Sequence, residues 1–224
     1  FIFKLINLEN SMLFIDFIKY IPKIQKEKLL SSDAHAKMAP LERISFLKEM
    51  NYLDKHPKRA AVLMLFYPKN SMTHLALIVR NTYPGVHSSQ IGFPGGKVEI
   101  EDKDLEQTAL RETHEEVGIH PEKIQVIKPF SEIYIPPSNF LVYPYMGISH
   151  EELQFIPDLV EVKRVLEFPL SLFIDDKTIT QVKMTTSYAT DMEVPAFMVE
   201  KYVVWGATAM MMSELKENIK SALF

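Results

Sequence analysis

Between Ala60 and Arg80 the chain is apolar on both sides of one short polar break. AAVLMLFY (60–67) and HLALIVR (74–80) are rich in β-branched and aliphatic residues, and PKNSM (68–72) between them carries turn chemistry, so the pattern predicts a strand pair. Five further stretches read as strands or strand partners: KIQVIKPF (123–130), FLVYPYMGIS (140–149), VEVKRVLEF (160–168), and a late pair formed by TITQVKMTTS (178–187) with PAFMVEKYVVW (195–205). The period changes to helical in four places. Two N-terminal patterns, about 12–30 and 40–50, are interrupted by Pro22 and by SSDAHAKMAP (31–40). A third helix follows Asp102 or Asp104 as N-cap and stops at Gly118 and Pro121. ATAMMMSELKENIKSAL (207–223) predicts an amphipathic terminal helix whose methionines fill core, with Trp205 in the core just before it. Strands around two substantial helices predict an α/β domain over 56–224 with a helical extension over 1–55.

Composition narrows the class. The chain has 224 residues, 47% hydrophobic and 24% charged, which suits one well-cored domain with an appendage. A net charge of −4 argues against a non-specific nucleic-acid binder. No cysteine is present, which removes disulfides, thiolate metal sites and a cysteine nucleophile, and is compatible with a reducing cytoplasm. Lys4, Glu9, Asp16 and Lys19 interrupt the apolar N-terminus, so it predicts no membrane span. The first residue is Phe and the helical pattern opens at Met12, so residues 1–11 are expected to be either a leader or a packed N-terminal segment. Nothing in the pattern excludes a homodimer.

The third helix carries the chemistry. Leu105, Ala109, Glu112 and Glu116 share the spacing of a buried stripe, so two carboxylates stand where a packing helix would place Leu or Val. Glu115 lies beside them, and Arg111 is one turn before Glu115. Clustered Glu and Arg on a helix are ordinarily a solvated face with i,i+4 pairs. The double-Gly turn at 95–96, the Gly118 stop and the stripe position argue for an ion pocket instead, because carboxylates buried without partners are costly.

Gly96, Arg111, Glu112, Glu115, Glu116 and Gly118 together resemble the signature of the Nudix hydrolase family, with the arginine fifteen positions after the glycine, one more than the general spacing. Asp102 stands where the family's first glutamate is expected, and that register leaves its role open. The longer loop, FPGG and ALRET resemble the coenzyme A diphosphatase branch. Its second signature is matched in frame by LIVRNTYPGVHSSQIGFPGG through Arg80 and Phe93–Gly96, while Asn81, Gly85 and Ser89 stand where the signature has serine, a second arginine and glycine. The resemblance implies an α/β/α sandwich with a mixed sheet, plus the N-terminal helical extension. It also implies hydrolysis of a diphosphate linkage in a small nucleotide, with Mg²⁺ or Mn²⁺ held by Glu112, Glu115, Glu116 and the Gly96 carbonyl. Hard divalent cations neutralise phosphate oxygens and favour carboxylate ligands. Arg111 would orient a carboxylate, most directly Glu115. Arg80, His87, Phe93, Lys97, and Ser138 and Asn139 of YIPPSNF (134–140), are the expected substrate contacts, against surface, loop or turn roles for each. Lys97 with the basic run Lys55, Lys58 and Arg59 is a candidate for a 3′-phosphate, with a solvated face as the plainer reading. Glu132 and Glu161 are candidates for a further carboxylate from a late loop. Coenzyme A or its acyl derivatives are the first expectation. ADP-ribose or another nucleoside-diphosphate compound is the rival substrate, and a non-catalytic nucleotide sensor is the rival class.

Overall fold

The computed structural model describes residues 12–49, 52–81, 90–184 and 192–224. Residues 1–11, where the leader was suspected, lie outside them. Helix begins with α1 (Phe14–Phe17), runs through a 3₁₀ turn and continues as α2 (Ile21–Lys26). Pro22 sits in the first turn of α2, where its missing N–H leaves no hydrogen bond unmade, so it breaks the helix less than expected. This path ends at Lys26 rather than near residue 30. The expected interruption at 31–40 instead contains a short helix, α3 (Ser32–Ala36), followed by α4 (Leu41–Glu49). Phe14, Phe17, Ile21, Ile24 and Met38 are buried in the main core, so residues 14–38 pack as part of the body.

Strands β1 (Lys58–Lys69) and β2 (Met72–Arg80) form the expected hairpin. Lys69 pairs with Met72, and Asn70 and Ser71 both take positive φ, so the turn is a two-residue loop tighter than PKNSM suggested. Beyond Leu75, β2 leaves β1. The wedge between them is filled by β3 (Ile91–Gly92), paired to β2, and β4 (Gly95–Lys97), paired to β1. On its other side β1 runs parallel to a later strand, Phe140–Ile148, which also receives β5 (Gln125–Pro129) and β6 (Ile133–Ile135) and is numbered β7. Strand β8 (Val162–Pro169) closes the far edge against β2. The sheet is mixed.

Alternation along β1 sends its side chains to two layers. Ala61, Leu63, Leu65 and Tyr67 meet Ala109 and Val117 of α5 (Leu105–Val117). Ala60, Met64 and Phe66 face the opposite core, which also takes side chains from α6 (Leu170–Ile174) and α7 (Gly206–Leu223). The result is the α/β/α sandwich. The late strand pair is a three-stranded sheet. PAFMVEKYVVW divides at Glu200 (φ 53°) into the ends of β10 (Met192–Val199) and β11 (Tyr202–Val204), and β9 (Ile179–Met184) pairs with β10. Met210, Met211 and Met212 are core, as expected.

Helix α7 departs from its amphipathic pattern because it is enclosed on its polar side as well. Ser213, Glu214, Lys216 and Asn218 are all buried. The Glu214 carboxylate accepts hydrogen bonds from the Ser31 N–H (2.6 Å), the Ser131 N–H (3.0 Å) and the Ser131 hydroxyl (2.7 Å), and lies 3.6 Å from His35 Nε2. Lys216 pairs with Asp176 at 2.8 Å and donates to the Asp175 carbonyl. These partners lie far away in sequence, so the helix's own pattern cannot announce them.

Candidate active site

The turn that introduces α5 is built on two glycines for two reasons. Gly95 has φ 149°, and a Cβ there would stand 2.4 Å from the Ala61 carbonyl oxygen, so only glycine lets β4 lie against β1. A Cβ on Gly96 would stand 2.5 Å from the Glu112 carboxylate. The backbone of Gly96 and that carboxylate therefore share one small space, which a side chain would fill.

Helix α5 starts at Asp104, whose side chain accepts from the Gln107 N–H (2.8 Å), and ends at Gly118 in the left-handed region. Between these caps the acids divide by burial. Glu116 is 2% exposed. Its Oε2 accepts the Gly95 N–H at 2.8 Å, while among the described residues Oε1 accepts no hydrogen bond and faces Arg80 Nη1 at 3.5 Å. Burial pushes the Glu116 carboxyl up to about 7; Arg80 and the Gly95 N–H oppose that rise, and Glu112 and Glu161 reinforce it. Glu112 is also raised, first by burial and then by Glu115 and Glu161, against the pull of Arg111. Glu115 is exposed.

Arg111 joins the cluster. One nitrogen donates to Glu112 (3.1 Å) and Glu115 (2.8 Å), as the spacing suggested. Its stronger tie is to Asp102, through two bonds of 2.9 and 3.0 Å, with a further bond to the Lys97 carbonyl. The Arg111 guanidinium holds the Asp102 carboxyl well below the usual carboxylate range. Asp102 also accepts from the Glu99 N–H and the Thr108 hydroxyl, so it braces the lengthened loop against the helix. Sequence reasoning left its role open because the loop's extra residue shifts the register at Asp102.

Among the described residues no three acidic or imidazole groups form a ready-made metal cage. The donor set nevertheless suits a hard cation: the buried Glu116 carboxylate and the half-buried Glu112 carboxylate lie one turn apart, the first with an oxygen that accepts no hydrogen bond among the described residues, beside a glycine that carries no side chain.

The family profile described as NUDIX domain matches residues 56–184, more than half of the chain. The chain belongs to the Nudix family. It is similar to the chloroplastic Nudix hydrolase 22 of Arabidopsis thaliana, at 30% identity over 83% of this chain and 63% of that protein. It is similar to an uncharacterized Nudix hydrolase, NudL, of Enterobacter sp. (strain 638), at 31% identity over 80% of this chain and 92% of that one. It also resembles the peroxisomal coenzyme A diphosphatase NUDT7 of Mus musculus, at 32% identity over 57% of this chain and 53% of that one. The chain thus spans under two thirds of the length of the Arabidopsis and mouse relatives. No helix among the described residues is long and apolar enough to cross a membrane.

The other expected Nudix-site residues divide. Arg80, at the end of β2, points at Glu116 and joins the acidic cluster. Lys97 is exposed at the end of β4. Phe93 is a correction: its side chain is 2% exposed in the main core, so it anchors the turn and does not face substrate. Asn139 takes φ 53°, and its amide accepts from the Tyr134 hydroxyl (2.9 Å) and donates to the Lys55 carbonyl (3.1 Å), which makes it a turn-forming residue. The Ser138 hydroxyl is buried without a hydrogen-bond partner among the described residues. His87, with Gly85 and Ser89 of the second signature, lies outside the described residues. Asn81 bonds the carbonyls of Leu159 and Val160 and donates its own N–H to the Glu161 carbonyl (2.7 Å), tying the end of β2 to the segment before β8. Glu161 acts electrostatically on both Glu112 and Glu116. Glu132 instead accepts the Tyr52 hydroxyl at 2.9 Å, so of the two late carboxylates only Glu161 acts on the cluster. Trp205, expected in the core, is half-buried beside a cavity.

Proposed function

We propose that this Nudix protein hydrolyses the diphosphate of coenzyme A or an acyl-coenzyme A, giving 3′,5′-ADP and the (acyl-)phosphopantetheine. The observation that carries the diphosphatase reading is the half-buried Glu112 and buried Glu116 against the Gly95–Gly96 turn, with Glu116 Oε1 turned toward Arg80 and accepting no hydrogen bond among the described residues. Glu112, Glu116 and the Gly96 carbonyl would hold Mg²⁺ or Mn²⁺, with Glu115 and Glu161 at the margin. When bound, such a cation neutralises phosphate charge and lowers the pKa of water. This chain's own residues do the rest. Arg111 and Asp102 fix the helix against the loop, so the carboxylates are placed before substrate arrives. Arg80, within 3.5 Å of Glu116 and a quarter exposed, supplies a cation for a phosphate oxygen.

The coenzyme A part rests on the surviving frame of the second signature, Arg80 followed by Phe93–Gly96, and on the similarity to the mouse coenzyme A diphosphatase. The test is product identification. Incubation of the protein with coenzyme A and Mg²⁺ or Mn²⁺, followed by mass spectrometry, should yield 3′,5′-ADP and 4′-phosphopantetheine in equal amounts. Intact coenzyme A after prolonged incubation, with another nucleoside diphosphate cleaved, would refute the assignment.

A further inference from the structure

A cavity of about 500 Å³ lies between α3, α4, the β6 segment and the start of α7, in the size range of small-molecule sites. Leu47, Ile133, Tyr134, Pro136, Met192 and Trp205 supply its apolar wall. Two chains of contacts fix its place relative to the acidic cluster. Lys97 of β4 pairs with Ala60, Ala60 with Val142, and Val142 with Ile133 on the cavity wall. Three strand spacings of about 4.8 Å put that wall about 14 Å from the Gly95–Gly96 turn. On the other side, Trp205 and Gly206 open α7, and Thr208 bonds the Ile91 carbonyl (2.9 Å) two residues before Phe93. The cavity therefore sits at the same end of the sheet as the turn that carries the site.

Charge decides which part of a substrate fits. Glu42 and Glu132 stand on the lining, and Glu214 lies behind His35. The lining cation, Arg43, donates to the Tyr134 carbonyl. Such a wall repels a phosphorylated ribose. A cation stands elsewhere: Arg59 lies over the Tyr143 ring at 5.3 Å on the α5 face.

We propose that this cavity receives the neutral, flexible arm of the substrate, the pantetheine and its acyl chain, while the diphosphate lies at the Glu112–Glu116 cluster. The assignment rests on the coenzyme A reading and makes acylated coenzyme A the preferred substrate. Trp205 is the single tryptophan, so its fluorescence reports occupancy directly. S-octanoyl-pantetheine, which has no nucleotide and no diphosphate, should change that fluorescence saturably without metal, and 3′,5′-ADP should not. Octanoyl-coenzyme A should exceed coenzyme A by at least about tenfold in kcat/KM, or about 1.4 kcal/mol. Ser32→Phe, which adds a ring at a half-buried wall position, should abolish both the fluorescence change and the preference. A fluorescence response to 3′,5′-ADP and none to octanoyl-pantetheine overturns the proposal, as do equal kcat/KM values for the two coenzyme A substrates. Failure of the underlying reading looks different. Octanoyl-pantetheine would still bind, supporting the cavity assignment, while no coenzyme A was cleaved.

Discussion

Glu116 combines two properties that rarely coexist on a surface helix: a side chain 2% exposed and an oxygen that accepts no hydrogen bond among the described residues. A purely structural carboxylate would be better replaced by an amide. Glu116→Gln should therefore lower kcat/KM by at least about a thousandfold, about 4 kcal/mol of transition-state stabilisation. Its melting temperature without metal should hold or rise, because a buried charge is removed. Near-wild-type turnover would break the site assignment. Asp102 is the opposite case, a carboxylate whose role is to hold an arginine. Asp102→Asn weakens charge-assisted bonds to Arg111 and should cost about 1.5–3 kcal/mol in urea denaturation. The sign of its pH dependence follows from its lowered pKa. The folded-state value lies below the unfolded one, so this stabilisation is complete above the unfolded carboxylate range and disappears as pH falls through and below it. The gap between wild type and Asp102→Asn should thus narrow as a denaturation series is taken from pH 7 toward pH 3. A gap that stays constant or widens on acidification contradicts the brace.

At the scale of elements, β4 and α5 behave as one unit, since the strand supplies the glycine backbone that the helix's carboxylates need. Gly96→Ala puts a methyl 2.5 Å from the Glu112 carboxylate. The expected outcome is a folded protein with at least about a hundredfold lower kcat/KM, about 2.7 kcal/mol, and a far-UV circular dichroism spectrum like wild type. Full activity would show that Glu112 moves aside without consequence. Helix α7 makes the complementary point about stability. Glu214→Ala strands the Ser31 and Ser131 N–H groups and should cost about 3–5 kcal/mol by chemical denaturation. A loss under 1 kcal/mol, about a fivefold change in the folding constant, would mean that water replaces the carboxylate. These elements also mark what the sequence could reveal. Short apolar, strand-like runs announced β1, β2, β5, β7 and β8, and local cap chemistry announced both ends of α5. Helix α7 was recognisable as a helix but not as one that buries Ser213, Glu214, Lys216 and Asn218, because Ser31, Ser131 and Asp176 come from three distant segments. Phe93 was misjudged because a motif position carries no burial signal, and the Asp102–Arg111 pair was hidden by an extra loop residue.

At the scale of the molecule, the two faces of the sheet divide the work. The α5 face holds the acidic cluster and the braced arginine. The α7 face, with the N-terminal helices packed into its core, encloses the cavity. A substrate with an anionic centre and a long neutral arm matches that division; ADP-ribose has no such arm. The central claim is tested by kcat/KM for coenzyme A, 3′-dephospho-coenzyme A and ADP-ribose under one set of Mg²⁺ or Mn²⁺ conditions. Coenzyme A should lead ADP-ribose by at least about tenfold, about 1.4 kcal/mol, and lead its dephospho form only modestly, because position 85 carries glycine where the branch signature has arginine. ADP-ribose ahead of coenzyme A by more than about tenfold would contradict the account and leave a diphosphatase of another substrate.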